Sequence, residues 1–136
     1  MSGKCFVDTN VIVYAHTDHD LHKQETAQKI ISLENTIIST QVLQESANIL
    51  FKKFHFAWPD IQTILKEAAS NNYLHTNADI TIDSACRVAE RYGFSFYDSL
   101  IVAAALESGC ERLFSEDLQS GQVIDGVLII ENPFTI

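Results

Sequence analysis

Cys5-Phe6-Val7-Asp8-Thr9-Asn10-Val11-Ile12-Val13-Tyr14-Ala15 is the stretch whose reading decides the fold. Its first three residues form a short apolar run, which predicts a buried strand that stops at Asp8. Asp8, Thr9 and Asn10 are all residues that cap a helix N-terminus, and the apolar run from Val11 to Ala15 predicts the helix itself. A buried strand followed at once by a helix is the opening half of a βαβ unit.

The same alternation continues outward. His16 to His22 is polar and reads as a loop. A helix is expected from Lys23 to about Leu33, with Ala27, Ile30 and Ile31 on one face, and a β-branched strand over Thr36 to Ser39. From Thr40 to about Phe54, Val42, Leu43, Ala47, Leu50, Phe51 and Phe54 recur at helical spacing. Pro59 suits the first turn of another helix, which runs to about Ser70 with Ile61, Ile64, Leu65 and Ala68 as its apolar face. A further helix is expected over Ile80 to Tyr92, with Ile82, Ala85, Val88, Ala89 and Tyr92 facing inward and Gly93 as its stop. Tyr97 to Glu107 is apolar on nearly all sides and so predicts a central, buried helix ended by Gly109. Arg112 to Ser115 and Val127 to Ile130 complete the strands. Short apolar strands alternating with helices imply a mostly parallel sheet covered on both faces, and the 136 residues suit a single domain over 1–136.

Composition narrows the function classes. Hydrophobic residues make up 46% and charged residues 20%, the balance of an ordinary globular protein and not of a disordered chain. Cys5, Cys86 and Cys110 are odd in number and irregularly spaced, which argues against a disulfide framework and for a reducing compartment. Cys5 reads as a small buried residue. No apolar stretch approaches a transmembrane length, and the N-terminus lacks the regions of a signal peptide, so the expectation is a cytoplasmic protein without a membrane partner. The net charge of −9 sits awkwardly with nucleic-acid binding, which normally draws on Lys and Arg.

Four acidic residues occupy places that matter in such a fold. Asp8 closes the first strand, Glu45 lies in the first turns of a helix, Asp98 opens the buried helix and Asp117 follows the Leu113-Phe114-Ser115 strand. The carboxyl edge of a parallel sheet is where ligands bind, and helices that follow strands begin at that edge. Each acid alone has a plainer reading: Asp8 as a cap, Asp98 as a complement to a helix dipole, Glu45 as a solvated side chain, Asp117 as a turn residue. Together they repel unless protonated or bridged by cations. An oxygen-only cluster suits hard ions such as Mg²⁺ or Mn²⁺, which serve in phosphodiester displacement.

At these residues the chain resembles a known family. Phe6-Val7-Asp8-Thr9-Asn10 is similar to the opening motif of PIN-domain nucleases, and Glu45 within Gln41-Val42-Leu43-Gln44-Glu45 is similar to their second acid. Tyr97-Asp98-Ser99-Leu100-Ile101-Val102-Ala103-Ala104-Ala105-Leu106 resembles their third acidic segment, and Ser115-Glu116-Asp117-Leu118 their fourth. Order and length resemble the stand-alone VapC-type toxins. The resemblance implies a three-layer α/β/α fold and an endoribonuclease with one or two Mg²⁺ or Mn²⁺ ions. Asp8, Asp98 and Asp117 would be ligands, and Glu45 would hold a second ion or orient the attacking water. Asn10 and Ser115 would be donors that fix the carboxylates, while Glu116 would point elsewhere and serve at most as a helper. It also implies an RNA substrate, an antitoxin protein that covers the pocket, and a homodimer. A housekeeping RNA-processing nuclease and a catalytically silent binding module on the same fold are the alternatives.

Two further groups carry expectations. His16, His19 and His22 alternate with Asp18 and Asp20, a composition also met in transition-metal sites. No regular element presents them and no Cys joins them, so the loop is expected at the rim of the acidic site, with one His near substrate. Phe51, Phe54, Phe56 and Trp58 suit either base stacking or packing between helices or against a partner, with Lys52 and Lys53 beside them. His55 and His75 receive no role.

Overall fold

The computed structural model describes residues 3–135; Met1, Ser2 and Ile136, which the expected domain over 1–136 includes, lie outside the described residues. The elements run β1 (Lys4–Val7), α1 (Thr9–Ala15), α2 (Leu21–Ile31), β2 (Thr36–Ser39), α3 (Thr40–Lys52), α4 (Trp58–Asn71), β3 (Tyr73–His75), α5 (Asp79–Tyr92), α6 (Phe96–Glu107), β4 (Cys110–Phe114), β5 (Val123–Ile124) and β6 (Leu128–Glu131). The sheet order is β3-β2-β1-β4-β6-β5. All neighbours are parallel except β5 and β6. This is the three-layer α/β/α arrangement expected from the alternation of strands and helices.

β1 is central because Cys5, Phe6 and Val7 are all buried, so no side of the strand faces water. Phe6 stands opposite Ile37 of β2 and Leu113 of β4. The chain leaves β1 toward β2 on one side and returns as β4 on the other, which makes the gap between β1 and β4 the switch point of the sheet. Local chemistry sets the helix ends at this edge. Ser39 caps α3 by accepting from the Val42 amide, and Ser95 caps α6 by accepting from the Asp98 amide. α6 buries every residue from Ser99 to Ala105, as its uninterrupted apolar sequence requires. Cys5 and Cys110 are free and buried, and desolvation pushes the Cys110 thiol up to about 12.

Some boundaries and faces differ from the sequence reading. α2 begins two residues earlier than expected because Asp20 accepts from the Lys23 amide and so starts the helix at Leu21. Ile82 is not inward but 47% exposed; Ala85 and Val88 are buried as expected, and Thr81 joins them in place of Ile82, its hydroxyl donating to Glu107. β3 and β5 were not anticipated. β3 is an edge strand whose Tyr73 and Leu74 are exposed, so it lacks an alternating burial pattern. β5 has two residues and pairs with β6 through the turn at Asp125 and Gly126, whose φ angles of 52° and 71° are the left-handed pair of a tight hairpin.

Candidate active site

Asp8 begins the site where β1 ends. It caps α1, its Oδ1 accepting from the Thr9 amide at 2.7 Å, so the plain capping reading holds for this residue. Its other oxygen, Oδ2, accepts from the Ser115 hydroxyl at 2.7 Å. Ser115 lies just beyond β4 and not inside it, which frees its side chain to cross to Asp8. Ser115 Oγ also accepts from the Asp117 amide at 3.2 Å, and Asn10 Nδ2 donates to Asp117 Oδ2 at 3.2 Å. Asn10 Oδ1 in turn accepts from the Glu116 amide at 3.3 Å. The bend after β4 is thereby stitched to the first turn of α1.

Glu45 is held from two sides. Thr9 Oγ1 donates to its Oε1 at 2.7 Å and Gln41 Nε2 to its Oε2 at 3.3 Å. Gln41 also donates to the Tyr97 carbonyl at 3.0 Å, joining α3 to the start of α6, where Asp98 stands in the first turn. Asp8, Glu45, Asp98 and Asp117 all line one recess of about 270 Å³, together with Thr9, Asn10 and Asn48. Thr9, Gln41 and Asn48 were not singled out from sequence. The signal for Gln41 and Asn48 was their spacing from Glu45, four before and three after on one helix face.

The recess is strongly anionic. Burial pushes the Asp8 carboxyl up to about 7; the bonds from Ser115 and Thr9 lower it, and the charges of Asp117 and Glu45 raise it further. Among the described residues, no Lys or Arg lines the recess. Three arginines are paired with carboxylates elsewhere: Arg112 with Glu131 at 2.9 Å, Arg91 with Asp125 at 3.4 Å and Arg87 with Asp83 at 3.8 Å. Glu116 points away from the acids. Its side chain accepts from Tyr14 at 2.6 Å and Lys23 at 2.5 Å; burial raises its carboxyl, and these two bonds outweigh burial and hold it below its ordinary value.

The histidine loop does not line the acidic recess. α1 separates them: Asp8 sits at its start and His16 at its end. His16 Nδ1 meets the Ile12 carbonyl at 2.9 Å, and His19 meets Phe54 edge-on at 6.3 Å. His16 instead faces a separate recess of about 410 Å³ that also holds Glu34 and Glu67. Phe54 and Phe56 pack between helices around Leu50 and Ile61, whereas Phe51 and Trp58 stack on each other at the surface at 4.2 Å.

The PIN domain family profile matches residues 5–123. The chain belongs to the PIN domain family. Its fold is also found in solved VapC proteins. VapC20 of Mycobacterium tuberculosis, described as a sarcin-ricin loop cleaving toxin, is 17% identical, with a TM-score of 0.66 over 84% of this chain and 90% of that one. A toxin–antitoxin complex from Klebsiella pneumoniae gives a TM-score of 0.70 at 15% identity, covering 98% of this chain and 100% of the other. VapBC2 of Rickettsia felis, solved on a promoter DNA fragment, gives 0.66 at 20% identity over 94% and 97%. At these identities the likeness shows a shared fold. No curated protein matches the sequence. No helix among the described residues of this PIN domain is long and apolar enough to cross a membrane.

The donor chemistry of the recess suits a hard divalent ion. All four acids are oxygen donors, Asp98 has no hydrogen-bond partner for its carboxylate among the described residues, and no protein cation offsets the charge. Among the described residues, however, no three His, Cys, Asp or Glu side chains are placed to hold one ion together. The arrangement therefore fits an ion such as Mg²⁺, which takes one or two carboxylates and keeps several of its waters, better than one that needs a complete protein cage.

Proposed function

We infer that this PIN domain, one unit over 1–136, is an endoribonuclease that hydrolyses RNA phosphodiester bonds with Mg²⁺ or Mn²⁺ and acts as the toxin of a toxin–antitoxin pair. The observation that carries this reading is the meeting of Asp8, Glu45, Asp98 and Asp117, from four separate segments, in one recess without a basic residue. Asp8, Asp98 and Asp117 are the residues that would hold the ion, one or two of them directly and the rest through waters it keeps, with Glu45 at the side. When bound, such an ion supplies a water of lowered pKa and positive charge against the phosphate. The protein's own contribution is positioning. Ser115 and the Thr9 amide fix both oxygens of Asp8, so its carboxylate presents one orientation. Asn10 fixes one oxygen of Asp117, Oδ2. Glu45, held by Thr9 and Gln41, would orient the attacking water and accept its proton.

An antitoxin partner follows from the neighbours described as toxin–antitoxin complexes. The acidic recess suits a basic side chain from that partner, and the exposed Phe51–Trp58 stack offers it an apolar contact. A homodimer and a cytoplasmic location complete the reading. The test is purified protein on total RNA with Mg²⁺, Mn²⁺ or chelator, beside Asp98→Asn. Divalent-dependent cleavage that the variant lacks supports the reading; equal cleavage by both proteins overturns it.

A further inference from the structure

Gln41, Gln44, Glu45 and Asn48 recur at three- and four-residue steps along α3, so they lie on one helix face. With Tyr97 they line a second recess, of about 280 Å³. It shares Glu45 and Asn48 with the acidic recess, so the two are adjacent. Gln41 forms the fixed wall: it is buried, and its Nε2 is spent on the Tyr97 carbonyl and Glu45. Gln44 and Asn48 are exposed, and among the described residues their amides bond to nothing. Tyr97 is 65% exposed and touches Phe96 only edge-on, at 5.3 Å and 77°.

The geometry points to a nucleobase subsite beside the acidic recess, with Tyr97 as the stacking surface and Gln44 and Asn48 as the readers of the base edge. A side-chain amide carries both donors and acceptors, which is what the edge of an uncharged heterocycle requires. An exposed ring stacks on a base. Among the described residues no Lys or Arg lines this recess either, so it is not built to take a phosphate. The net charge of −9 makes such contacts more important, because backbone phosphates gain little from this surface. Tyr97 directly precedes Asp98, so a base stacked there belongs to a nucleotide at or next to the cleaved bond. The proposal deepens the ribonuclease reading and rests on it for the location of that bond.

The test has two arms. In the first, the ¹⁵N-labelled full chain is titrated by NMR with the four nucleoside 5′-monophosphates and with ribose 5-phosphate, all in chelator. The Gln44 and Asn48 side-chain amides and the Tyr97 backbone should shift saturably with at least one nucleotide and not with the sugar phosphate. Tyr97→Ala should weaken that binding about tenfold and Tyr97→Phe should retain it. In the second, a randomised RNA pool is cut with Mn²⁺ and the ends are sequenced. The wild type should show a base bias beside the cut that Gln44→Ala and Asn48→Ala flatten. Base-dependent shifts without any RNA cleavage would support the subsite and overturn the ribonuclease reading. Cleavage with no base-dependent shifts and an unchanged bias in the variants overturns the subsite and leaves the ribonuclease standing.

Discussion

Asp8→Asn removes a charge that the fold keeps almost entirely from water. Asp8 is 5% exposed, and burial, reinforced by Asp117 and Glu45, lifts its carboxyl from 3.8 to about 7 despite the hydrogen bonds from Ser115 and Thr9. A difference of that size corresponds to about 4 kcal/mol between the neutral and charged forms of the folded protein. Because the folded value is raised above the unfolded one, this stability is fully present below about pH 3.8 and is lost as pH rises through about 7. Asparagine keeps the shape and cannot ionise. It presents an NH₂ where Asp8 Oδ2 accepted from Ser115, a mismatch of about 1 kcal/mol. The metal-free variant should therefore gain about 2–3 kcal/mol over wild type at pH 8. At about 3 °C per kcal/mol for a chain of this size, that is a melting temperature about 6–9 °C higher. Near pH 4 the gain should vanish or reverse. Calorimetry of both proteins in chelator at the two pH values reads the difference directly, and Mg²⁺ should narrow the gap by stabilising only the wild type. A gap of equal size at both pH values, or a variant less stable at pH 8, refutes the electrostatic account of Asp8.

Other consequences can be checked with the same preparations. Asp98→Asn should lower RNA cleavage by at least about a hundredfold with an unchanged circular dichroism spectrum, since its carboxylate supports no other side chain in the fold; an active variant removes Asp98 from the site. RNA binding measured by fluorescence anisotropy should be weak in chelator and strengthen with Mg²⁺, because Arg87, Arg91 and Arg112 are already paired with carboxylates; tight binding in chelator points to a basic surface outside these pairs. Leu113→Ala, in the strand beside β1, should cost about 2–5 kcal/mol in urea unfolding, as its side chain is fully buried; a cost under about 1 kcal/mol contradicts the central placement of β4.

The parts of the fold written in apolar runs were readable in advance. The strand at Cys5–Val7, the strand at Thr36–Ser39 and the stretch Ser99–Ala105 of α6 all rest on continuous burial, which leaves a one-dimensional trace. β3 leaves none, because an edge strand with exposed Tyr73 and Leu74 has no covered face to dictate its pattern. β5 does leave one, the Asp125-Gly126 pair between apolar residues, although its two residues are too few to show a strand pattern of their own. At the site, positions could be read but bonding could not. That Thr9 would hold Glu45 across 36 residues follows from where α3 lies against α1, not from either residue's neighbours in sequence. The histidine loop misled for the complementary reason. Its composition suggests chemistry, but the length of α1 carries it away from the carboxyl edge.

Hydrolysis of RNA at the recess of Asp8, Glu45, Asp98 and Asp117 is read out by the chemistry of the cleaved ends. Attack by water expels the 3′-oxygen. Wild-type protein with Mg²⁺ or Mn²⁺ should therefore leave 5′-phosphate and 3′-hydroxyl ends. A single 2′-deoxy nucleotide at the cleaved linkage should slow cleavage only modestly, through lost recognition. Products ending in 2′,3′-cyclic phosphate, formed in chelator and dependent on the adjacent 2′-hydroxyl, would contradict the account and place the chemistry outside the acidic recess.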